Sequence, residues 1–562
     1  MPAPIPRRSL SLLAAAALVS LNALAADAPA DAASAPARPK WDVNHPPGPK
    51  ATVNIDVRTG TWMSVDVSPD GQRLVFDLLG DLYTLPIAGG EATPLTHSIA
   101  WEMQARWSPD GRRIAYISDA GGGDNVWVMN ADGTDAKAVT REDFRMLYTP
   151  TWSPDGQYIA ARKHFAGTRS LGSGEIWLYH ASGAGKGVQL NEKPNWQKDL
   201  GEPAFSPDGR YVYFSQDTTR GSEFEYNKDS NKEIFDIQRI DLHDGSVEPL
   251  VTGQGGAVRP VPSPDGKQLA FVRRVRNQST LFLKDLSTGV ETPVWGHLER
   301  DMQEAWSVQG VYPGFAWTPD SKSIVVWAQG KLWRVDPAKR DAVEIPFHVK
   351  DTREVTPALR VATAVAPSTF DVKQLRWMNV SPQGDRVVYS ALGYLYVKDL
   401  PNGQPHRLTS QTEHFEFYPR FSRDGRDIVF TTWNDKELGS VRRIPAAGGA
   451  ETTLTPEPGQ YIEPQFSPDG RTVVYVKSHG GYLTSPWHGL DTGVYRVAAD
   501  GKGKPERLAK DGAAPQFGAG NDAVYVTRAS VKKEVDWFSK LVRIDLSDRK
   551  ETEVATSEFV SD

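Results

Sequence analysis

The chain has 562 residues, 39% of them hydrophobic and 10% aromatic, with 17 tryptophans and a formal charge of −6. That length exceeds what one core accommodates, so two or more domains are expected, and so small a charge gives no basis for nucleic-acid binding. The absence of cysteine excludes disulfides, thiolate nucleophiles and Cys-ligated metals.

Arg7 and Arg8 precede an apolar stretch from Leu10 to Leu24, and Ala23-Leu24-Ala25 places small residues around a cleavage point. This predicts a signal peptide over residues 1–25, removed after Ala25, and a protein exported to the periplasm. The stretch is too short for a transmembrane segment and has no basic stop beyond it. Residues 26–50, rich in Ala, Pro, Asp and Lys, read as a flexible linker.

Beyond the linker, short apolar and aromatic runs end repeatedly in Ser-Pro-Asp-Gly or a variant. The marks begin at Ser68, Ser108, Ser153, Ser206, Ser263, Thr318, Ser381, Ser422 and Ser467, and a worn tenth is Phe517-Gly518-Ala519-Gly520. Their spacing runs from 40 residues (Ser68 to Ser108) to 63 (Thr318 to Ser381). Such a period, carried by strand-like segments, predicts a propeller of four-stranded blades. In the second unit, Ala105–Trp107, Arg113–Ile117, Asn125–Met129 and Ala138–Thr140 read as the four strands. Pro pre-sets the turn and Gly tolerates its left-handed position. The aromatics before the turns (Trp107, Trp152, Phe205, Trp317, Phe421, Phe466) are expected between blades. The turn aspartates lack the spacing of a calcium loop.

Ten units exceed one ring. Residues 51–350 are expected to form a first propeller of about six blades, 351–367 a connector without the blade rhythm, and 368–562 a second propeller. Val53–Val57 and Thr369–Val372 each precede a Trp-Met pair and a first turn, as an extra strand would if it closed a ring. The second propeller has four turns, and a fifth motif opens at Phe559-Val560-Ser561-Asp562, so it reads as truncated. The expected class is all-β, with tandem β-propellers of four-stranded blades, the second incomplete.

No catalytic signature is intact. Ser173 lacks the first glycine of a nucleophile elbow, Gly183–Gly187 lacks the Ser or Thr of a phosphate loop, and no His-x-His exists. Histidines such as His164, His297 and His414 would form a metal site only by converging in space. No catalytic or metal residue is assigned. Segments that break the rhythm are 218–234, 255–260 and 297–304, and loops on a rigid scaffold are where binding residues gather.

The run 80–96 is similar to the repeat of TolB and the tricorn protease propeller. Glu225-Tyr226-Asn227-Lys228-Asp229, Gly256-Ala257-Val258-Arg259-Pro260, Arg300-Asp301-Met302-Gln303-Glu304 and Gly310–Trp317 together resemble the TolB-like propeller region of exported amidohydrolase-related proteins. In that family the repeats precede a metal-dependent barrel. The resemblance implies a non-catalytic propeller that gates or docks such a barrel, or another periplasmic protein. No cofactor is expected in this chain, since a divalent metal would belong to the barrel. Two further readings are a stand-alone protein-binding propeller of TolB type and the propeller of a prolyl oligopeptidase-like serine peptidase. Candidate interface residues are Tyr226, Asn227, Asp229, Arg259, Arg300, Asp301, Gln303, Glu304 and Tyr312.

Overall fold

The computed structural model describes residues 41–557 except 168–171, 227, 229, 277, 358–360, 479–490 and 533–535. The expected signal peptide, most of the linker and the motif at 559–562 lie outside the described residues. No helix among the described residues is long and apolar enough to cross a membrane.

Each repeat folds as one four-stranded antiparallel sheet. Blades one to six span 65–94, 102–138, 146–189, 200–251, 258–295 and 316–345; blades seven to ten span 376–407, 415–453, 461–509 and 513–557. The architecture is all-β. The turn motif is a small hydrogen-bonded device. Ser68 Oγ donates to Asp70 Oδ1 (2.6 Å) and accepts from the Arg73 N–H (2.9 Å), and Asp70 Oδ1 also accepts from the Gln72 N–H (3.0 Å). Gly71 takes φ 71°, where a Cβ is strained. The same bonds recur elsewhere, for example at Ser153, Ser263 and Ser467. At Ser381, where Gln383 replaces the aspartate, the hydroxyl donates to Asp385 instead (2.7 Å).

The serine hydroxyl, joined by a backbone N–H, holds the Asp70 and Asp155 carboxyls below the usual range. A depressed folded value gives stability that is present above the ordinary aspartate range and is lost as pH falls through the folded value. Asp155→Asn should therefore flatten the part of the acid limb of a melting-temperature profile that lies below the ordinary aspartate range. An unchanged limb would refute this account.

The pre-turn aromatics Trp107, Trp152, Phe205, Trp317, Phe421 and Phe466 are all buried. Trp152 packs among residues of blades two and three, and its Nε1 donates to the Arg106 carbonyl (3.1 Å). They are inter-blade core.

Blades one to six close a ring. Val65 N–H donates to the Gly314 carbonyl (2.9 Å) and Gly60 N–H to the Gly330 carbonyl (2.9 Å), while Val65, Val67 and Phe76 pack on Ala316, Val325 and Trp327. The extra strand does not complete the last blade as the sequence suggests. Blade six supplies its own outer strand, Asp341–Ile345, so that position is filled. Ala51–Val57 instead pairs antiparallel with Phe347–Val355, from Ala51↔Val355 to Val57↔Val349. Phe347 in turn pairs parallel with Gly90 of blade one's hairpin. The boundary placed at 350 thus cuts a strand, and 369–372 forms no strand.

In ring two, successive blades seven to ten bury shared apolar clusters. The outer face of blade seven is uncovered among the described residues. Met378 and Val380 are 60% and 52% exposed, whereas Val65 and Val67, at the same places before the turn in blade one, are 1% and 7% exposed.

Candidate functional site

Four residues before the turn serine, the innermost strands carry a β-bulge whose residue takes a left-handed conformation: Gln104 (φ 57°), Thr149 (52°), Glu202 (59°) and Arg259 (55°). A bulge re-aims one side chain without breaking the sheet. Here it joins blade to blade. Thr149 N–H donates to Gln104 Oε1 (2.6 Å), Arg259 N–H to Glu202 Oε2 (2.7 Å), and Gly314 N–H to Ser64 Oγ (3.1 Å). Inner strands of blades one to five line one axial cavity of about 250 Å³ with Asp66, Arg106, Glu202 and Arg259.

The segment between blades five and six lies across this axis. Arg162 Nη1 donates to the Val308 carbonyl (2.7 Å), Gln104 Nε2 to the Gln309 carbonyl (2.5 Å) and Arg259 Nε to the Tyr312 carbonyl (2.8 Å). The Val311 N–H donates to Glu202 Oε1 (2.6 Å). Four blades thus hold one strap of backbone, and its polar groups are satisfied by side chains. The first ring is plugged.

Two buried ion pairs fix the plug and its neighbour. Arg274 donates from Nη2 to Asp301 Oδ1 (2.6 Å) and Glu304 Oε2 (2.6 Å), and from Nε to Asp301 Oδ2 (3.0 Å), while Ser279 Oγ donates to Asp301 Oδ2 (2.7 Å). Burial works against both charges, yet Arg274 is raised and Asp301 lowered because the pairing outweighs desolvation. Lys228, wholly buried, donates to Asp217 Oδ2 (2.5 Å) between the rings of Phe224 and Phe235. Burial lowers its ammonium. Insertion and plug then meet through aromatics. Phe224 stacks on Trp306 (4.4 Å between centroids), and Tyr226 stands edge-on to both.

Among the candidate residues, Asp301, Gln303 and Tyr312 are buried within the plug and Arg259 is buried on the blade-five strand that holds it, rather than on a surface. Glu304 is mostly covered by Arg274; Arg300 and Tyr226 are exposed. Asn227 and Asp229 lie outside the described residues. Arg300 borders a cleft of about 970 Å³ shared with Arg276, Trp295 and His297 of ring one and Asp435 and Lys436 of ring two. Sequence reading passed over Glu202, Arg162 and Arg274, although Glu202 and Arg259 share the place before the turn.

A second pocket of about 190 Å³ lies between Trp62, Asp77, Trp101, Glu102 and Gln309. Burial pushes the Glu102 carboxyl up to about 7 against its bond from Ser98 Oγ (2.6 Å), and Oε2 has no partner. A raised folded value favours the neutral acid, so stability is lost as pH rises from the ordinary glutamate range to about 7 and stays lost above it. Glu102→Gln should stabilise the protein at pH 8 by on the order of 2 kcal/mol in urea melts, shrinking to little at about pH 4. Equal effects at both pH values would contradict it.

His164, His297 and His414 do not converge. His164 neighbours Arg162, His297 borders the cleft, and His414 groups with Glu416 and Glu451.

Residues 51–223 match the family model of the TolB beta propeller domain, PD40. The peptidase YuxL of Bacillus subtilis (strain 168), described as uncharacterized, is 30% identical over 27% of this chain and 29% of its own length. Among solved structures, TolB from Acinetobacter baumannii aligns over 52% of this chain and 64% of its own, with 18% identity and a TM-score of 0.39. The tricorn protease aligns over 88% of this chain and 44% of its own, with 13% identity and a TM-score of 0.38. The chain thus spans less than a third of YuxL.

Proposed function

From a chain that carries a TolB-type β-propeller, we propose that it is the non-catalytic propeller portion of a periplasmic, metal-dependent amidohydrolase-type hydrolase. It docks the catalytic barrel through the face made by the 218–234 insertion and the plug. One observation carries this reading: the ring-one axis is closed by backbone held from four blades. Closure argues against a substrate route through the ring and leaves docking as the role. The face above the plug offers Tyr226 and Arg300, an aromatic and a guanidinium of the kind that anchor interfaces.

The test reads the gene in frame beyond codon 562, then maps hydrogen exchange on the propeller with and without what is encoded there. A His-x-His barrel, with protection over 218–234 and 299–306, is the expected result. A frame without such a barrel, or protection confined to other faces, would overturn the proposal. The likeness to YuxL favours a second reading, a serine-peptidase propeller, which requires a Gly-x-Ser-x-Gly elbow in that frame. A stand-alone TolB-type binding propeller requires neither.

A further inference from the structure

We propose that His414, Glu416 and Glu451 bind a first-row divalent cation at the seam of blades seven and eight, with an exchangeable position open to the adjoining pocket. His414 and Glu416 are two apart at the entry to the strand Phe415–Phe421, so their side chains leave the same face. Glu451 arrives from the loop before the outer strand Thr452–Thr453. One ligand atom from each lies within 4.8 Å of the others, and His414 Nε2 is 3.7 Å from Glu451 Oε2. Ligand atoms about 2.1 Å from a tetrahedral ion sit about 3.4 Å apart, so a small contraction closes the site.

The imidazole itself points to a ligand. His414 is 8% exposed, yet its Nε2 has no hydrogen-bond partner. Leaving a buried ring nitrogen unmade costs on the order of 1–3 kcal/mol, and a cation would remove that cost. The surrounding shell is built. Glu416 is held by Thr409 Oγ1 (2.5 Å), Gln411 Nε2 (2.6 Å) and the Leu395 N–H (2.7 Å), and Gln411 also ties down the His414 backbone. Such outer contacts orient metal ligands.

Charge agrees. The pocket, of about 780 Å³, is also lined by Glu413, Asp435 and Glu437, against Lys436 and Arg442. Arg442 Nη1 donates to Glu451 Oε2 (2.8 Å), which orients the carboxylate beside the imidazole. One nitrogen and two carboxylates suit zinc or a neighbouring transition ion better than magnesium or calcium, which prefer all-oxygen cages. Three protein ligands leave a coordination place for water or for a carbonyl or carboxylate of a bound molecule. The site lies on ring two and does not depend on what ring one docks.

The experiment uses the untagged chain, stripped with chelator and dialysed against zinc chloride, with bound metal measured by elemental analysis and melting temperature followed in parallel. One zinc per chain and a raised melting temperature are expected, with affinity falling at least tenfold in both His414→Ala and Glu451→Gln, and unchanged in His297→Ala. Should His414→Ala not fold, Glu451→Gln, half-buried on its loop, decides. Cobalt in place of zinc should give visible absorption bands that Glu451→Gln alters. No retained zinc, or equal binding in the folded variants, would overturn the site.

Discussion

Replacing Lys228 with alanine should destabilise ring one by about 3–5 kcal/mol, the penalty for breaking a buried ion pair by removing one partner. The lysine is wholly buried against Asp217, itself inaccessible. Lys198 Nζ stands 3.9 Å away from Asp217 and already donates to Thr219, so it offsets only part of the loss. Lys228→Met separates charge from packing. It fills the slot between Phe224 and Phe235 and should recover part of the loss, while Asp217 stays under-solvated. Urea melts monitored by tryptophan fluorescence decide the order. If alanine and methionine both lie within 1 kcal/mol of wild type, the pair does not anchor the insertion.

Arg274→Ala should cost a similar amount, about 3–5 kcal/mol, and for the same reason, since it strands Asp301 and leaves Glu304 with only the exposed Arg300, 3.6 Å away. Its signature differs. Because Arg274 fastens the plug rather than a blade, limited proteolysis should open within 299–310 before the sheets unfold. Glu304→Gln, at a partly exposed partner, should cost about 1 kcal/mol or less and leave the segment resistant. Cleavage within the blades first would assign Arg274 to the general core.

The repeat was legible because its turn is local. Serine, aspartate and glycine within six residues close the bonds that shape the turn, so the ten sheets follow from spacing. The ribbon of Ala51–Val57 and Phe347–Val355 was not, since Val53–Val57 carries the pattern of a blade strand and nothing local tells it that blade six is already full. The plug was half legible. Its segments stood out as departures from the rhythm, yet departure reads as surface loop. What buries Asp301, Tyr312 and Arg259 is a set of partners far away in the chain: Asp301 meets Arg274 across 27 residues, and Arg259 meets Glu202 across 57. The His414 group failed for the same reason. His414 and Glu416 were readable as a pair, but Glu451 joins them only through the fold.

The bulge ladder has a consequence for how such a protein changes over generations. Because the amide of one bulge is received by a side chain of another blade, a blade is not a self-sufficient cassette. Blade three needs Gln104 from blade two, and blade five needs Glu202 from blade four. A single blade copied or swapped in alone would arrive with an orphaned amide at the axis. Blades joined in this way are inherited as couples, and a recombination breakpoint survives more readily between couples than within one.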